Sequence, residues 1–309
     1  MNDRQFRYIL EIAKEGSITA AAQNLFISQP SLSNFLANVE EEIGAKIFDR
    51  SVVPMVPTYA GEKYIEAAKK VLGIMQELQS RIDDMRDTLT GRLHIGCGNL
   101  SPFVIPFILP ILMERFPGIQ FKLTEDHFSV LEELLLKGLL DVILYAAVKI
   151  THPNVVCTTL TKDEMVLLCP IDFIPQKAVS IKNKSFPCID LTDLADRPFV
   201  LMKKKYQLRT IQDMILKDIG YTPNIILETD HWQTCLRMVE NRMAHTFLPY
   251  AKIGVEPQNI GKFSLPGDYY RETYLCYRKN AYFSKALKEF ISVVCSLLRQ
   301  NTTDQGDNP

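Results

Sequence analysis

The chain lacks the long apolar runs that would place it in a membrane. Its longest apolar stretch, Pro102 to Met113, is too short to span a bilayer and contains two internal prolines. Residues 1–16 form a charged amphipathic pattern, whereas a secretory signal needs a basic and then an apolar segment. We therefore expect a cytoplasmic protein with no membrane partner.

A strong charge of either sign is also missing, as is any close pair of cysteines. The 35 lysines and arginines nearly balance 36 aspartates and glutamates, and this gives no global nucleic-acid signal. The seven cysteines are scattered without a Cys-x-x-Cys, a pattern that predicts neither a disulfide framework nor a zinc site. We expect reduced cysteines, mostly in the core, and no metal.

Catalytic signatures are absent as well. Gly96 and Gly98 are followed by Ser101 instead of the third glycine of a dinucleotide fingerprint. Asp230-His231 could form half of a triad, but no nucleophile accompanies it, and the familiar hydrolase and phosphate-loop motifs do not occur. We expect no catalytic residue, no cofactor and no enzyme activity. An α/β enzyme with an appended DNA-binding domain stays open as an alternative that turnover of a ligand would support.

Residues 17–50 contain two short helical patterns separated by a tight break at Phe26-Ile27. Ser17 and Ser28 are placed as N-caps, and Pro30 falls in a first turn, where no N–H is needed. The predicted buried positions are Ile18, Ala21, Ala22 and Leu25 in the first helix and Leu32, Leu36, Val39 and Ile43 in the second, which Gly44 ends. With an earlier helix from Arg4 to Glu15, this is the layout of a helix-turn-helix.

Polar side chains open the second helix. Gln29, Ser31, Ser33, Asn34 and Asn38 are left on or near its outer face. Amide side chains suit base edges and hydroxyls suit phosphates, so the pattern favours DNA binding in the major groove. The alternative is a generic amphipathic helical pair without a DNA role.

The N-terminal region resembles that of LysR-type transcriptional regulators. The motifs that carry the resemblance are Gly16-Ser17-Ile18-Thr19-Ala20-Ala21-Ala22, Ser28-Gln29-Pro30-Ser31-Leu32-Ser33, Leu36 and residues 40–44, 47–50 and 58–61. The resemblance implies a winged helix-turn-helix over residues 1–58, with its wing from Arg50 to Pro57. On these grounds the DNA-binding residues are Thr19, Ser28, Gln29, Pro30, Ser31, Ser33, Asn34, Asn38 and Arg50.

Two departures from the family pattern concern charge. Relatives usually have a basic residue where this chain has Asn34, and their wings usually carry further Arg or Lys beyond Arg50. Residues 1–60 contain five basic and seven acidic residues, and we expect Glu40, Glu41 and Glu42 to lie at the far end of the second helix. We therefore expect modest non-specific affinity and a requirement for more than one half-site.

From Thr58 to about Leu89 the pattern predicts one long helix of about 48 Å. Its apolar stripe either packs against its own domain or forms a coiled coil between two chains. Polar residues flank the stripe, which favours dimerisation, and the resemblance implies the same linker helix over residues 59–90. The predicted dimer seam is Ile65, Ala68, Leu72, Met75, Leu78, Ile82 and Met85.

Beyond residue 91, short strand patterns alternate with helical patterns, which predicts an α/β architecture. Predicted strands are 93–96, 121–124, 142–146, 165–169, 199–202, 225–227, 246–248 and 273–277, and predicted helices are 106–115, 130–137, 208–219, 232–240 and 284–298. This region resembles the family's effector-binding domain. The matching pieces are residues 91–96, 116–118, 138–142, 194–199 and 247–249.

The resemblance implies two lobes like those of periplasmic binding proteins within residues 91–300. One lobe would take about 91–161 and 267–300 and the other about 162–266, with chain crossings near Thr161 and Pro266, and we expect residues 301–309 to be a disordered tail. Ligands of such folds bind between the lobes at strand ends and helix N-termini. The resemblance and these positions together assign effector binding to Asn99, Ser101, Phe128, Ser129, Lys149, Met202, Lys203 and Thr246.

The lysines among these residues favour an anionic effector, held by Asn99, Ser101 and one lysine. The run Lys203-Lys204-Lys205 can also be read as a solvated loop. The chain is thus interpreted as a bacterial transcription regulator that binds double-stranded DNA and a small-molecule effector. It would assemble as a homodimer or homotetramer, with RNA polymerase as a further partner. A thiol-based redox sensor that uses two of the seven cysteines is the alternative within regulation.

Overall fold

The computed structural model describes residues 2–85, 90–98, 101–147, 152–175, 177–189, 194, 197–250 and 259–303. Three helices open the chain: α1 (Asp3–Glu15), α2 (Ile18–Asn24) and α3 (Gln29–Ile43). A short antiparallel pair of β1 (Phe48–Asp49) and β2 (Val56–Pro57) forms the base of the wing. This is the winged helix-turn-helix that the sequence predicts.

The caps of these helices follow the prediction. The hydroxyls of Ser17, Ser28 and Thr58 accept hydrogen bonds from the backbone N–H of Ala20, Ser31 and Gly61. Gly44 ends α3 with φ = 69°, a left-handed conformation that favours glycine. The predicted stripe of Leu32, Leu36 and Val39 is buried between the three helices, with Ile43 packed against it.

The linker helix α4 (Tyr59–Asp84) corrects part of the predicted dimer seam. Ala68 and Leu72 are buried inside their own chain, where they join the core of the helix-turn-helix, and Ile65 packs against the same core. The 3–4 spacing of the sequence could not distinguish these residues from a seam, because both kinds of packing need the same period. Leu89, to which the prediction extended the helix, lies outside the described residues.

The first lobe, lobe I, is built on a sheet of β3 (Gly91–Cys97), β4 (Ile119–Glu125), β5 (Val142–Ala147) and β13 (Tyr270–Arg278). Strand β3 pairs in parallel with β4 and β5, and β13 joins β5 antiparallel. Helices α5 (Ser101–Arg115) and α6 (Phe128–Leu136) connect these strands, and α9 (Lys285–Thr303) packs on the same core as α5.

The strand β6 (Val155–Pro170) is much longer than its predicted segment and joins the two lobes. Its first part pairs with β13, and its last part, from Met165, pairs with β11 (Thr246–Pro249) and β12 (Ile260–Ser264). Lobe II adds β7 (Ala178–Val179), β8 (Cys188–Ile189), β9 (Pro198–Met202), α7 (Gln207–Asp218), β10 (Asn224–Thr229) and α8 (Trp232–Glu240). Each strand and helix predicted for this region falls on an observed element, whereas β7, β8, β12 and the first half of β6 were missed.

Three further findings bear on the predictions. Helix α9 continues to Thr303, so the first three residues of the predicted disordered tail are helical, and 304–309 lie outside the described residues. None of the described helices is both long and apolar enough to cross a membrane. In the described part of the chain, no three His, Cys, Asp or Glu side chains are grouped as a metal would require.

The expectation of reduced cysteines without a disulfide is wrong for one pair. Cys157 on β6 and Cys276 on β13 face each other in register and form a disulfide, with their Cα atoms 4.2 Å apart. They are 119 residues apart in sequence, so the spacing motifs of the chain could not reveal the pair. Cys97, Cys169, Cys188 and Cys235 are free and buried, as predicted, and Cys295 is half-buried.

Candidate DNA-binding surface and effector cavity

The first turns of α3 form an exposed polar surface. Of the predicted DNA-binding residues, Thr19, Ser28, Gln29, Pro30, Ser31, Asn34, Asn38 and Arg50 are exposed, and Ser33 is half-buried. The Ser28 and Ser31 hydroxyls lie 2.7 Å apart and hydrogen-bond to each other, which organises the start of the helix. Gln29 is the first residue of α3, a position from which recognition helices contact base edges.

A buried carboxylate fixes the wing to α3, a role that the sequence reading did not assign to it. Glu40 lies near the far end of α3, as expected, and its side chain is only 2% exposed. Its carboxylate accepts hydrogen bonds from the backbone N–H of Ile47 and Phe48 and forms ion pairs with Lys46 and Arg50. Burial raises the pKa of Glu40, but the hydrogen bonds from Ile47, Lys46 and Phe48 outweigh burial and hold the pKa below its usual value.

This arrangement gives Arg50, one of the predicted DNA-binding residues, a structural role as well. Its guanidinium lies 3.2 Å from Glu40, so it also supports the wing. Arg7 and Lys14 likewise pair with neighbouring carboxylates. The positive charge of the domain is therefore partly neutralised by its own acidic residues, consistent with the modest non-specific affinity expected from composition.

The exposed side of α4 carries an apolar stripe that keeps four residues of the predicted seam and adds two others. Its members are Val71, Ile74, Met75, Leu78, Ile82 and Met85, and of these Ile74 is 70% and Met85 83% exposed. The positions 71, 75, 78, 82 and 85 alternate steps of four and three, which is the heptad spacing of a coiled coil. Sequence reasoning missed Val71 and Ile74, because the buried Ala68 and Leu72 lie in the same periodic pattern.

Two cavities lie between the lobes. The larger has a volume of about 500 Å³ and is lined from lobe I by α6 and β5 and from lobe II by the end of β9, by α7 and by the start of α8. Its polar and aromatic lining includes His127, Phe128, Ser129, Tyr145, Lys205, Tyr206, Trp232 and Arg271. No carboxylate is among the described residues that line it, so its lining can carry only positive charge.

The smaller cavity, of about 320 Å³, has the opposite character. It adjoins the larger one through His127, Tyr206 and Trp232, but Glu125, Asp126 and Asp230 also line it. Asp230 accepts a hydrogen bond from the Tyr206 hydroxyl at 3.0 Å and pairs with Lys203 and Lys205. These hydrogen bonds lower the pKa of Asp230, and the one from Lys203 has the largest effect. The larger cavity has Lys205 and Arg271 in its lining, and these cations pair with Asp230 and Asp163, which do not line it.

The predicted effector residues fall into three groups. Phe128, Ser129 and Met202 line the larger cavity. Ser101, Lys203 and Thr246 line neither cavity, since Ser101 and Thr246 are buried in the fold and Lys203 pairs with Asp230. Asn99 and Lys149 lie outside the described residues. Within the lysine run, Lys205 is the member that borders the larger cavity.

The sequence reading missed Arg271, the most buried cation of the larger cavity. Its side chain is 14% exposed, and its Nη2 lies 3.5 Å from Oδ2 of Asp163. Burial lowers the pKa of Arg271, which Asp163 opposes, and burial raises the pKa of Asp163. A charged residue within a strand was the available signal, but its partner lies 108 residues away in sequence and becomes visible only when β6 and β13 pair.

Fold and site together define a DNA-binding head joined by a helix to a two-lobed ligand-binding domain. Two family models match the chain: "Bacterial regulatory helix-turn-helix protein, lysR family" over residues 4–62, and "LysR substrate binding domain" over residues 86–298. The chain therefore belongs to the LysR family, and it is a DNA-binding transcription regulator with a substrate-binding domain.

Individual relatives agree with this assignment. The regulator YcgK of Bacillus subtilis is 26% identical over 99% of this chain and 97% of its own length. OxyR of Escherichia coli is 26% identical over 86% of this chain and 85% of its own. Among solved structures, full-length CbnR complexed with its target DNA covers 97% of this chain and 100% of its own, with a TM-score of 0.65 at 18% identity.

Proposed function

We propose that this regulator binds paired half-sites on double-stranded DNA as a homodimer or homotetramer, and that a small anionic effector between its lobes modulates that binding. The observation that carries the proposal is the larger cavity, whose described lining contains cations and no carboxylate. The effector acts by binding one arrangement of the paired DNA-binding domains better than another, which shifts their populations without any chemical step.

Helix α6 offers a path from the cavity to the linker helix. Its first residues, Phe128 and Ser129, line the larger cavity. At its other end Glu133 pairs with Lys69 of α4 at 2.8 Å, and a Cβ added to Gly73 of α4 would lie 1.8 Å from the Lys137 carbonyl oxygen. Contact this close means that a shift of α6 toward or away from a ligand must also be felt by α4.

The exposed stripe of α4 supports self-association. A row of large apolar side chains at heptad spacing is unfavourable in water and is covered when two such helices pair. Pairing sets two α3 helices on successive major-groove faces of the DNA. We assign residues 1–58 to DNA binding, 59–90 to the linker and 91–300 to effector binding. We place the protein in the bacterial cytoplasm, with RNA polymerase as a further partner.

Footprinting of the purified protein on DNA flanking its own gene tests the proposal. We expect protection of two half-sites and a change in their protection when a small carboxylate or another anionic metabolite is added. Cationic and neutral metabolites at the same concentration are the control and should change nothing. A single protected half-site, or a response to cations alone, would contradict the proposal.

A second candidate, thiol-based sensing, is favoured by the Cys157–Cys276 pair. Disulfides of cytosolic proteins are usually transient and redox-active. Hydrogen peroxide would oxidise one thiol to a sulfenic acid and release water, and the other thiol would then attack the sulfenic sulfur and displace a second water to form the disulfide. Two thiols thus lose two electrons to the peroxide.

Alkylation after denaturation distinguishes this candidate. Reduced protein should take up seven adducts and peroxide-treated protein two fewer, as counted by intact mass. Cys157→Ser should show six adducts under both conditions, and DNA affinity should change with oxidation in the wild type alone. Seven adducts before and after peroxide would rule out sensing by this pair.

A further inference from the structure

The larger cavity is lined both by the buried guanidinium of Arg271 and by several aromatic rings. Phe128 and Tyr145 of lobe I have ring centroids 5.1 Å apart, and Tyr206 and Trp232 border the same cavity from lobe II. Aromatic rings prefer offset or edge contacts with other rings. Rings from both lobes therefore favour a ligand whose body is flat and apolar.

Arg271 has unused capacity to bind an anion. Its Nη2 has a long contact of 3.5 Å with Asp163, and its Nε is buried without a hydrogen-bond partner. A guanidinium presents five donors in a planar fork that matches the two oxygens of a carboxylate. Leaving a buried donor unpaired costs free energy, and a ligand carboxylate that accepts from this edge of the guanidinium would remove that cost.

The position of Arg271 links this contact to the lobes. Arg271 on β13 faces Asp163 on β6 in register, just before β6 leaves β13 and pairs with the strands of lobe II. A carboxylate bound to Arg271 competes with Asp163 for the same guanidinium at the junction of the lobes. The bound ring meanwhile contacts side chains of both lobes, which favours their closed arrangement.

We propose that the effector is an aromatic carboxylate, with Arg271 as the receptor for its carboxylate and Phe128, Tyr145, Tyr206 and Trp232 around its ring. This inference rests on the proposed function, because it names the ligand class of the same cavity. It differs from the sequence-based expectation, in which Asn99, Ser101 and a lysine hold the anion.

Trp232 provides a direct measurement, because it is the sole tryptophan of the chain and borders both cavities. Full-length protein is titrated with benzoate and with phenylacetate while tryptophan fluorescence is recorded. Benzamide and phenylacetamide keep the ring without the charge, and cyclohexanecarboxylate and acetate keep the charge without the aromatic ring. We expect a saturable change with at least one aromatic acid, none with its amide, and several-fold weaker binding of the two non-aromatic acids.

Variants then assign the contact. Arg271→Gln should weaken binding of the aromatic acid about tenfold or more, because the charged hydrogen bonds are lost. The affinity of Arg271→Lys for the aromatic acid should lie between those of the wild type and Arg271→Gln, since lysine keeps the charge but lacks the planar fork of donors. Arg237→Gln, which changes an exposed arginine on α8 of lobe II outside the described cavity lining, is the control and should bind like the wild type. Phe128→Leu leaves Arg271 in place and should lower affinity for benzoate more than for cyclohexanecarboxylate.

The outcomes separate this inference from the function on which it rests. If acetate or cyclohexanecarboxylate binds as well as the aromatic acids, or if both Arg271 variants bind like the wild type, the aromatic carboxylate is wrong while an anionic effector stands. If no anion changes Trp232 fluorescence but neutral compounds do, both the inference and the anionic effector are wrong.

Discussion

Gln29 is the residue from which we expect the most sequence discrimination, because it is exposed at the first position of α3. An amide side chain can contact the edge of one base pair with two hydrogen bonds. Gln29→Ala should lose about 1–3 kcal/mol of discrimination at one base pair, measured by gel-shift titration against operator variants. Glu41→Gln, exposed near the other end of α3, is the control. Equal discrimination in Gln29→Ala and wild type would show that α3 reads the groove in another way.

Glu40 anchors the wing, and its substitution should have a pH signature. Glu40→Gln keeps an oxygen for the Ile47 N–H but loses the ion pairs with Lys46 and Arg50, so unfolding free energy should fall by about 1–2 kcal/mol at pH 7. The folded-state pKa lies below the usual value of 4.5, so this stability is present above pH 4.5 and is lost as the pH falls through the folded-state pKa.

Denaturant unfolding of the wild type and of Glu40→Gln, at pH 7 and at steps below pH 5, measures the difference between their unfolding free energies. The gap between the two proteins should narrow as the pH falls, because the wild-type carboxyl becomes protonated. A gap that is constant or widens with acid would mean that Glu40 is not held ionised by its partners.

At the scale of single elements, α4 has two apolar sides with different tasks. Leu78 and Ile82 belong to the exposed stripe, whereas Leu72 is 6% exposed and lies in the core. Leu78→Glu with Ile82→Glu should produce monomers in light scattering and abolish specific DNA binding, since one half-site supplies too little affinity.

Leu72→Ala is the informative contrast on the same helix. It should lower unfolding free energy by about 2–5 kcal/mol, as a cavity in a core does, yet leave the oligomeric state of the folded protein unchanged. If Leu72→Ala dissociates the folded oligomer and the stripe variant does not, the dimer seam runs through Leu72 and not through Leu78 and Ile82.

On the scale of the whole molecule, each lobe exposes apolar residues on an edge strand. Leu123 lies on β4, the edge of the lobe I sheet, and Ile225, Ile226 and Leu227 lie on β10, which pairs on one side with β9. Exposed apolar edges promote association, so these edges are where we expect contacts between effector-binding domains in a tetramer. Ile226→Glu should convert a tetramer to a dimer in analytical ultracentrifugation, with the α4 stripe intact. A tetramer that persists would exclude β10 from the interface.

Local patterns in the sequence determined the DNA-binding head. Ser17, Ser28 and Thr58 cap the helices that follow them, and Leu32 and Leu36 are buried as predicted. Capping and helical periodicity depend on residues within one or two turns of each other, so the chain itself contains the information. The same holds for the strands and helices of the lobes, whose types follow from short apolar patterns.

Tertiary structure alone decided which of these residues can act together. Ala68 and Leu72 are not available to a dimer seam because the helix-turn-helix covers them. Glu40 is buried because its carboxylate binds the backbone of Ile47 and Phe48. The Arg271–Asp163 and Cys157–Cys276 pairs arise from strands more than 100 residues apart. A periodic pattern shows that a side chain will be covered, but the identity of what covers it depends on long-range strand pairing and domain packing.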